Sequence, residues 1–185
     1  NTAALTPADA MASVGRDVSA KDSPAERDRE LHHGFQKQRP LSWRIVEAPR
    51  DLEGLAGDWR ELLQDEASPF QTFSWIRAWY RNYADGADAS FAFVVSAGGE
   101  TVAIFPCYRM GKQIRLAGDG VCDYQDLIVS RETPDSVVED SLRLLVAWVK
   151  RQRRGCHLFF EKLYSRGRLF PMVQRMRSGQ EGLFL

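Results

Sequence analysis

The sequence predicts a mixed α/β domain that follows a polar leader. The chain has 185 residues, a length typical of one domain. Apolar runs with the spacing of strands lie in its middle, and amphipathic segments with the spacing of helices lie on both sides of them. A strand meander, followed by a long helix and a further strand, favours a mixed sheet with helices packed on it. We therefore expect a mainly antiparallel sheet flanked by helices.

Residues 1–40 form the predicted leader. They mix Ala, Ser, Asp, Lys, Arg and Glu, with almost no large apolar side chains apart from Leu31 and Phe35. Such a segment buries too little apolar surface to offset the entropy lost on ordering. We expect a mostly disordered leader over residues 1–40 and a folded domain over residues 41–185.

The first half of the domain predicts one strand and two helices. Apolar residues alternate imperfectly over 41–48, which indicates a strand that Pro49 ends. Apolar residues spaced by three and four predict a helix over 51–65, with Asp51 as its N-cap. A second helix is expected over 73–84, capped by Thr72 or Ser74. Its five aromatic side chains are typical of a core helix, and a ligand groove is the alternative.

The second half predicts strands and one long helix. Gly98 and Gly99 favour a tight turn between two apolar runs, which makes residues 90–110 a hairpin. A helix is predicted to begin at Asp135 and run to about residue 153, with Gly155 ending it. The remaining expected elements are strands over 113–117, 126–130 and 156–163, followed by a broken helix that contains Pro171.

Charge and cysteine content narrow the classes of function. Lys and Arg total 25 and Asp and Glu total 25, so no basic surplus predicts a nucleic-acid or anionic membrane partner. No segment approaches the roughly 20 apolar residues of a membrane span. The three cysteines are far apart and the histidines form no cluster, so we expect reduced thiols, a cytoplasmic protein and no metal site.

Three motifs carry a resemblance to a known family. They are Phe70-Gln71-x-x-x-Trp75, the strand VAIFP that ends at Pro106, and the Gly118–Asp126 run with Asp123, Tyr124 and Asp126. With this element order, residues 43–163 resemble the N-terminal half of the CelD/BcsL-like bacterial acyltransferases of the GNAT superfamily, which are relatives of the FemAB aminoacyltransferases.

The resemblance implies a GNAT-like fold and acyl transfer to an amine or hydroxyl. It also implies a second GNAT-like domain that holds most of the donor machinery. The expected fold is then incomplete at its C-terminus, and acetyl-CoA or another acyl-CoA is expected to bind mainly outside this chain. The implied acceptor is a small molecule or glycan precursor in exopolysaccharide, cellulose or envelope biosynthesis. The alternative is a non-catalytic half that binds the acceptor or assists assembly.

Arg115, Gly118 and Gly120 match the Arg-x-x-Gly-x-Gly spacing of the GNAT coenzyme A loop. In that fold the pyrophosphate lies where a strand meets the following helix, whereas an extended segment follows Gly120. Residues 131–138, at the expected junction, lack glycine and contain Glu132 and Asp135. We therefore disfavour a cofactor role for the three residues and favour turn glycines.

Asp123, Tyr124 and Asp126 are the predicted catalytic residues. Two carboxylates beside a phenol can orient an amine acceptor or accept its proton. The structural alternative, in which Asp123 caps a turn and Tyr124 packs on the sheet, stays open. Predicted substrate-binding residues are Gln71, Trp75 and Arg109, although a solvated arginine is the favoured interpretation of the last.

Overall fold

Five strands in chain order form the sheet of the computed structural model, which describes residues 40–64, 68–152 and 155–178. The first four pair antiparallel, and the fifth pairs parallel to the fourth. The strands are β1 (Leu41–Glu47), β2 (Ala89–Ala97), β3 (Glu100–Met110), β4 (Gln113–Leu116) and β5 (His157–Leu158).

Helices cover both faces of the sheet. Short 3-10 turns at Leu52–Leu55 and Pro69–Gln71 precede α1 and α2. The cores show that α1 and α2 pack on one face and that α3 and α4 pack on the other. The helices are α1 (Ala56–Leu63), α2 (Phe73–Asn82), α3 (Asp135–Lys150) and α4 (Leu169–Ser178).

The two faces explain why β2 and β3 are apolar at consecutive positions. Successive side chains of a strand point to opposite faces. Phe93 and Phe105 therefore lie in the core beneath α3 and α4, whereas Val94 and Ile104 lie in the core beneath α1 and α2. A strand covered on both sides loses the alternation of polar and apolar residues that marks a half-exposed strand.

Helix ends follow the predicted chemistry in one of three cases. Thr72 caps α2, because its hydroxyl oxygen accepts a hydrogen bond from the Trp75 amide at 3.4 Å. The prediction for Gly155 was wrong: α3 was expected to run to about residue 153, but it ends at Lys150 with Arg151 as its C-cap, so Gly155, with a φ of +62°, lies beyond the end of the helix. The prediction for Asp51 was wrong: its side chain makes no capping hydrogen bond, and the chain enters α1 through the 3-10 turn.

Three predicted elements differ from the structure. Residues 126–130 are not a strand: only Ile128 pairs there, in an isolated bridge with Ile104. The strand predicted over 156–163 is limited to β5. The expected break at Pro171 is absent because this proline lies in the first turn of α4, where a helix does not need its amide hydrogen.

The five-stranded, mainly antiparallel sheet flanked by helices confirms the predicted fold class. All described residues belong to one compact unit. The predicted leader lies outside the described residues except for Pro40. None of the helices in the described ranges has the length and apolar character needed to cross a membrane.

Candidate functional site

A loop between β4 and Ile128 interrupts the chain that pairs with β3. We call residues 117–127 the β4 loop. It leaves β3 after the Ala117 amide donates to the Pro106 carbonyl oxygen at 2.8 Å. It returns where Ile104 and Ile128 exchange two backbone hydrogen bonds of 2.9 Å. The loop therefore connects two segments that both pair with β3, and each of its ends is hydrogen-bonded to that strand.

The β4 loop is also held by one residue from the 3-10 turn before α2 and one from α2 itself. The Gln71 side-chain amide donates to the Leu127 carbonyl oxygen at 2.9 Å. Gly118 has a φ of +102°, and a Cβ atom there would lie 3.1 Å from the Trp75 ring and 2.9 Å from the Cys122 sulfur. Glycine is needed at this position both for its backbone conformation and for the close approach of Trp75.

Gln125 connects the loop to the segment after β5. This residue is buried, and its side-chain amide donates to the Leu116 carbonyl oxygen at 3.2 Å. Its backbone amide donates to Lys162 at 3.0 Å, and its carbonyl oxygen accepts from Tyr164 at 2.9 Å. The Tyr164 ring lies 5.1 Å from the ring of Tyr124, measured between centroids. The β4 loop and the segment after β5 thus form one continuous surface.

Asp123 and Tyr124 lie at the exposed tip of that surface. The Tyr124 side chain is 51% exposed, and Asp123 is exposed. The structure therefore leaves both groups accessible to a ligand, with Tyr164 beside them.

Asp126, the third predicted catalytic residue, points inward instead. Its carboxylate accepts hydrogen bonds from the amides of Leu127, Arg168 and Leu169 at 2.9, 2.8 and 2.9 Å. The Leu169 amide is the first of α4 and the Arg168 amide directly precedes it, so Asp126 caps that helix across 42 and 43 residues of sequence. Burial raises the pKa of Asp126 above its ordinary value, although these hydrogen bonds oppose the shift.

Arg115 belongs to a polar network on the sheet face that α2 covers. Its guanidinium pairs with Asp119 in the β4 loop and lies 4.3 Å from the centroid of the Phe159 ring. The Tyr108 hydroxyl donates to the same Asp119 oxygen at 2.7 Å. Tyr108 faces Arg115 across the β3–β4 pair. Glu161 lies 4.0 Å from the Arg115 guanidinium.

The network favours a charged carboxylate beside a neutral phenol. Burial alone would raise the pKa of Asp119, but hydrogen bonds with Tyr108, Arg115 and Glu161 outweigh it and hold the pKa below its ordinary value. Burial raises the pKa of Tyr108 to about 12, and its bond to Asp119 adds to the shift. Near neutral pH, Tyr108 is thus a donor and Asp119 an acceptor.

Arg109 lies apart from this network. Side chains of adjacent strand residues point to opposite faces, so Arg109 and Tyr108 are on different sides of the sheet. Its Nε atom is 3.8 Å from the Asp88 carboxylate. The structure therefore does not bring Arg109 together with Gln71 and Trp75, the other predicted substrate-binding residues.

The segment before α3, residues 129–134, is closed by Arg168. We call it the α3 entry loop. The Arg168 guanidinium donates to the carbonyl oxygens of Ser130, Arg131 and Thr133 at 3.2, 3.0 and 2.5 Å. It also donates to the Asp135 carboxylate at 3.1 Å.

A pyrophosphate does not fit the α3 entry loop as it is built. Phosphate oxygens need N–H donors and positive surroundings. Here carbonyl oxygens and the Asp135 carboxylate face the Arg168 guanidinium. The amides of Glu132 and Thr133 donate back to Ser130, through its hydroxyl and carbonyl oxygens. Within the described part of the chain, no group of three or more His, Cys, Asp or Glu could hold a metal ion.

Comparison with solved structures gives distant likenesses. L-PGS from Bacillus licheniformis has 13% sequence identity and a TM-score of 0.42, with 81% of this chain and 46% of that chain covered. A ribosomal-protein-alanine N-acetyltransferase from Brucella melitensis biovar Abortus 2308 has 12% identity and a TM-score of 0.43, with 79% and 93% covered. This chain thus spans less than half the length of the first. No protein-family profile and no curated protein matches the sequence.

Sequence reasoning missed four polar residues of this region: Tyr108, Asp119, Glu161 and Arg168. Arg115 and Asp119 are four positions apart, a spacing that was visible but was attributed to a glycine motif. The bonds of Arg168 join backbone atoms 35 to 38 residues away. Such contacts with main-chain atoms leave no pattern of residue types.

Proposed function

We propose that this chain is the N-terminal, GNAT-like domain of an acyl-CoA-dependent N-acyltransferase of the CelD/BcsL-like kind. The proposed acceptor is a small-molecule or glycan precursor of exopolysaccharide or envelope biosynthesis. In this proposal the β4 loop binds the acceptor, and the acyl-CoA donor binds mainly in a second domain.

One observation carries this proposal: the three motifs of the resemblance meet at the β4 loop. Gln71 binds the Leu127 carbonyl oxygen, and Trp75 packs on Gly118. The VAIFP strand supplies Ile104 and the Pro106 carbonyl oxygen, which anchor the two ends of the loop. Segments that are far apart in sequence thus converge on the residues proposed to act.

Asp123 and Tyr124 have distinct roles in this proposal. A carboxylate at the exposed tip can orient an acceptor amine through a charge-assisted hydrogen bond. The Tyr124 hydroxyl can hold a neighbouring polar group of the same acceptor. Asp126, which the structure directs to three backbone amides, is proposed to position these two residues.

The test uses a longer protein that contains the second domain. Asp123→Ala and Tyr124→Phe should each lower acceptor-dependent release of coenzyme A, by about 100-fold for a lost positioning contact. Matched controls are Asp140→Ala and Tyr83→Phe, which alter exposed residues of α3 and of the turn after α2. Full activity in both test variants would refute the assignment.

A second candidate, a non-catalytic half that binds the acceptor or assists assembly, is favoured by the closed α3 entry loop. Arg168 fills this loop, which leaves the described residues without a phosphate site at the start of α3. In that case Asp123→Ala should raise KM for the acceptor and leave kcat unchanged. The first proposal expects kcat to fall. Calorimetric titration of the isolated chain with acetyl-CoA should show no binding heat under either proposal.

A further inference from the structure

We propose that Arg168 is a positioning residue. Its guanidinium occupies the start of α3 in place of a donor phosphate and thereby holds the β4 loop. The proposal rests on the proposed function only where it assigns that loop to the acceptor. The structural part, a loop closed by a guanidinium of its own chain, stands on geometry alone.

The α3 entry loop has the chemistry of a cation site. Three carbonyl oxygens and one carboxylate oxygen surround the guanidinium at 2.5 to 3.2 Å. A planar guanidinium with five fixed N–H donors matches several acceptors at once, which a point charge cannot do. The same oxygens would repel a phosphate. The site therefore selects Arg168 and rejects the diphosphate of a nucleotide cofactor.

The backbone of the same residue joins the β4 loop. The amides of Arg168 and Leu169 donate to the two carboxylate oxygens of Asp126. Gly167 lies directly against this carboxylate, where a Cβ atom would clash with it. Arg168 thus binds the α3 entry loop through its side chain and the β4 loop through its main chain.

This double attachment determines the position of the exposed tip. Asp126 follows Tyr124 by two residues, and Gln125 between them is tied to Lys162 and Tyr164 on the segment that leads to Arg168. Without the guanidinium, the 162–168 segment loses its hydrogen bonds to the α3 entry loop and to Asp135. The support that this segment gives to Tyr124 then weakens as well.

Chemical rescue follows from this geometry. Arg168→Ala leaves a space lined by carbonyl oxygens that a free guanidinium ion can enter. Methylguanidinium should restore the amide protection that the variant loses, at a concentration too low to affect the wild-type protein. Arg168→Lys keeps the charge, but its ammonium cannot donate to all four acceptors in one plane, so it should restore only part of the contact.

The first experiment is amide hydrogen exchange on the present chain. In Arg168→Ala, amides of Leu127, Thr133 and Leu169 should exchange at least about tenfold faster, as expected for lost hydrogen bonds of a charged donor. Amides of β2 and β3 should not change. Methylguanidinium should restore protection in this variant. It should have no effect on the control Arg77→Ala, which breaks a 3.0 Å ion pair between Arg77 and Glu53.

Three results would overturn the proposal. They are unchanged exchange in Arg168→Ala, no response of that variant to methylguanidinium, and protection of the wild-type α3 entry loop by inorganic pyrophosphate or acetyl-CoA. If Arg168→Ala does not fold, Arg168→Lys serves in its place. If these amides are as well protected in Arg168→Lys as in the wild type, the proposal that a planar guanidinium is needed would also be refuted.

A kinetic measurement in the longer protein separates positioning from donor binding. Arg168→Lys should lower kcat and leave KM for acyl-CoA unchanged. A raised KM for acyl-CoA would identify Arg168 as a donor ligand and refute the inference. If Asp123→Ala and Tyr124→Phe retain activity while the exchange results hold, the proposed function fails and the Arg168 contact stands.

Discussion

The β4 loop and the α3 entry loop flank the same paired residue, Ile128, yet they are held in opposite ways. The β4 loop is fixed at its base by Gln71, Trp75 and β3, and its tip is exposed. The α3 entry loop is fixed from within, because the Arg168 guanidinium donates hydrogen bonds to the inward-facing carbonyl oxygens of the loop. A loop supported from outside keeps its tip free for a ligand, whereas a loop filled by its own chain does not.

The largest expected effect tests the support of the β4 loop by Trp75. Gly118→Ala requires a left-handed backbone at a residue with a Cβ atom and forces that atom against Trp75 and Cys122. Strain and overpacking together should cost about 3 kcal/mol in the free energy of unfolding, measured by urea denaturation. Gly120→Ala is the control: its φ is +82° but the space around it is open, so strain alone should cost about 1 kcal/mol. Equal losses would show that Trp75 does not restrict the loop.

A smaller effect tests the polar network at the start of the same loop. Asp119→Ala removes the acceptor of Tyr108 and the partner of Arg115, which should cost about 2 kcal/mol near neutral pH. Asp119 has a lowered pKa in the folded state, so its contribution is present above its ordinary value of 3.8 and is lost as pH falls through the folded pKa. The stability difference between wild type and variant should therefore shrink below that value in urea denaturation at a series of pH values. A difference that is constant with pH would contradict a charged Asp119.

The smallest effect concerns one hydrogen bond at the end of the loop. Gln71→Ala leaves the Leu127 carbonyl oxygen without its side-chain donor and should cost about 1 kcal/mol in urea denaturation. Gln152→Ala removes a comparable bond to Trp148 at the end of α3, where water can replace the donor, so it should cost less. If the two variants lose equal stability, Gln71 gives the β4 loop no particular support.

Much of the fold followed from local pattern. Apolar spacing predicted α1, α2 and α3, and the paired glycines predicted the β2–β3 turn, because these features depend on neighbours in sequence. Residues 126–130 were misread because Leu127, Ile128 and Val129 are all buried. Burial requires apolar side chains but does not require a neighbouring strand. Within residues 126–130 only Ile128 pairs with a strand residue, Ile104 of β3.

The candidate site was predictable only in part. The exposed pair Asp123 and Tyr124 was named from residue type, and the structure leaves its role a prediction. The inward direction of Asp126 depends on the first turn of α4, more than 40 residues away. No local spacing encodes where a carboxylate will find backbone amides, so such a residue is indistinguishable in sequence from one that faces a substrate.

Trp75 provides an optical consequence of this architecture. The chain has five tryptophans, and Trp59 and Trp79 are buried in the core under α1 and α2. Trp75 is half-buried and its ring packs where the β4 loop turns at Gly118. Indole emission depends on the polarity and the quenchers around the ring, so any movement of this loop should change the intrinsic fluorescence of the protein. Compounds that bind at the β4 loop should then reveal themselves by a change in emission, with no added label and no coupled assay.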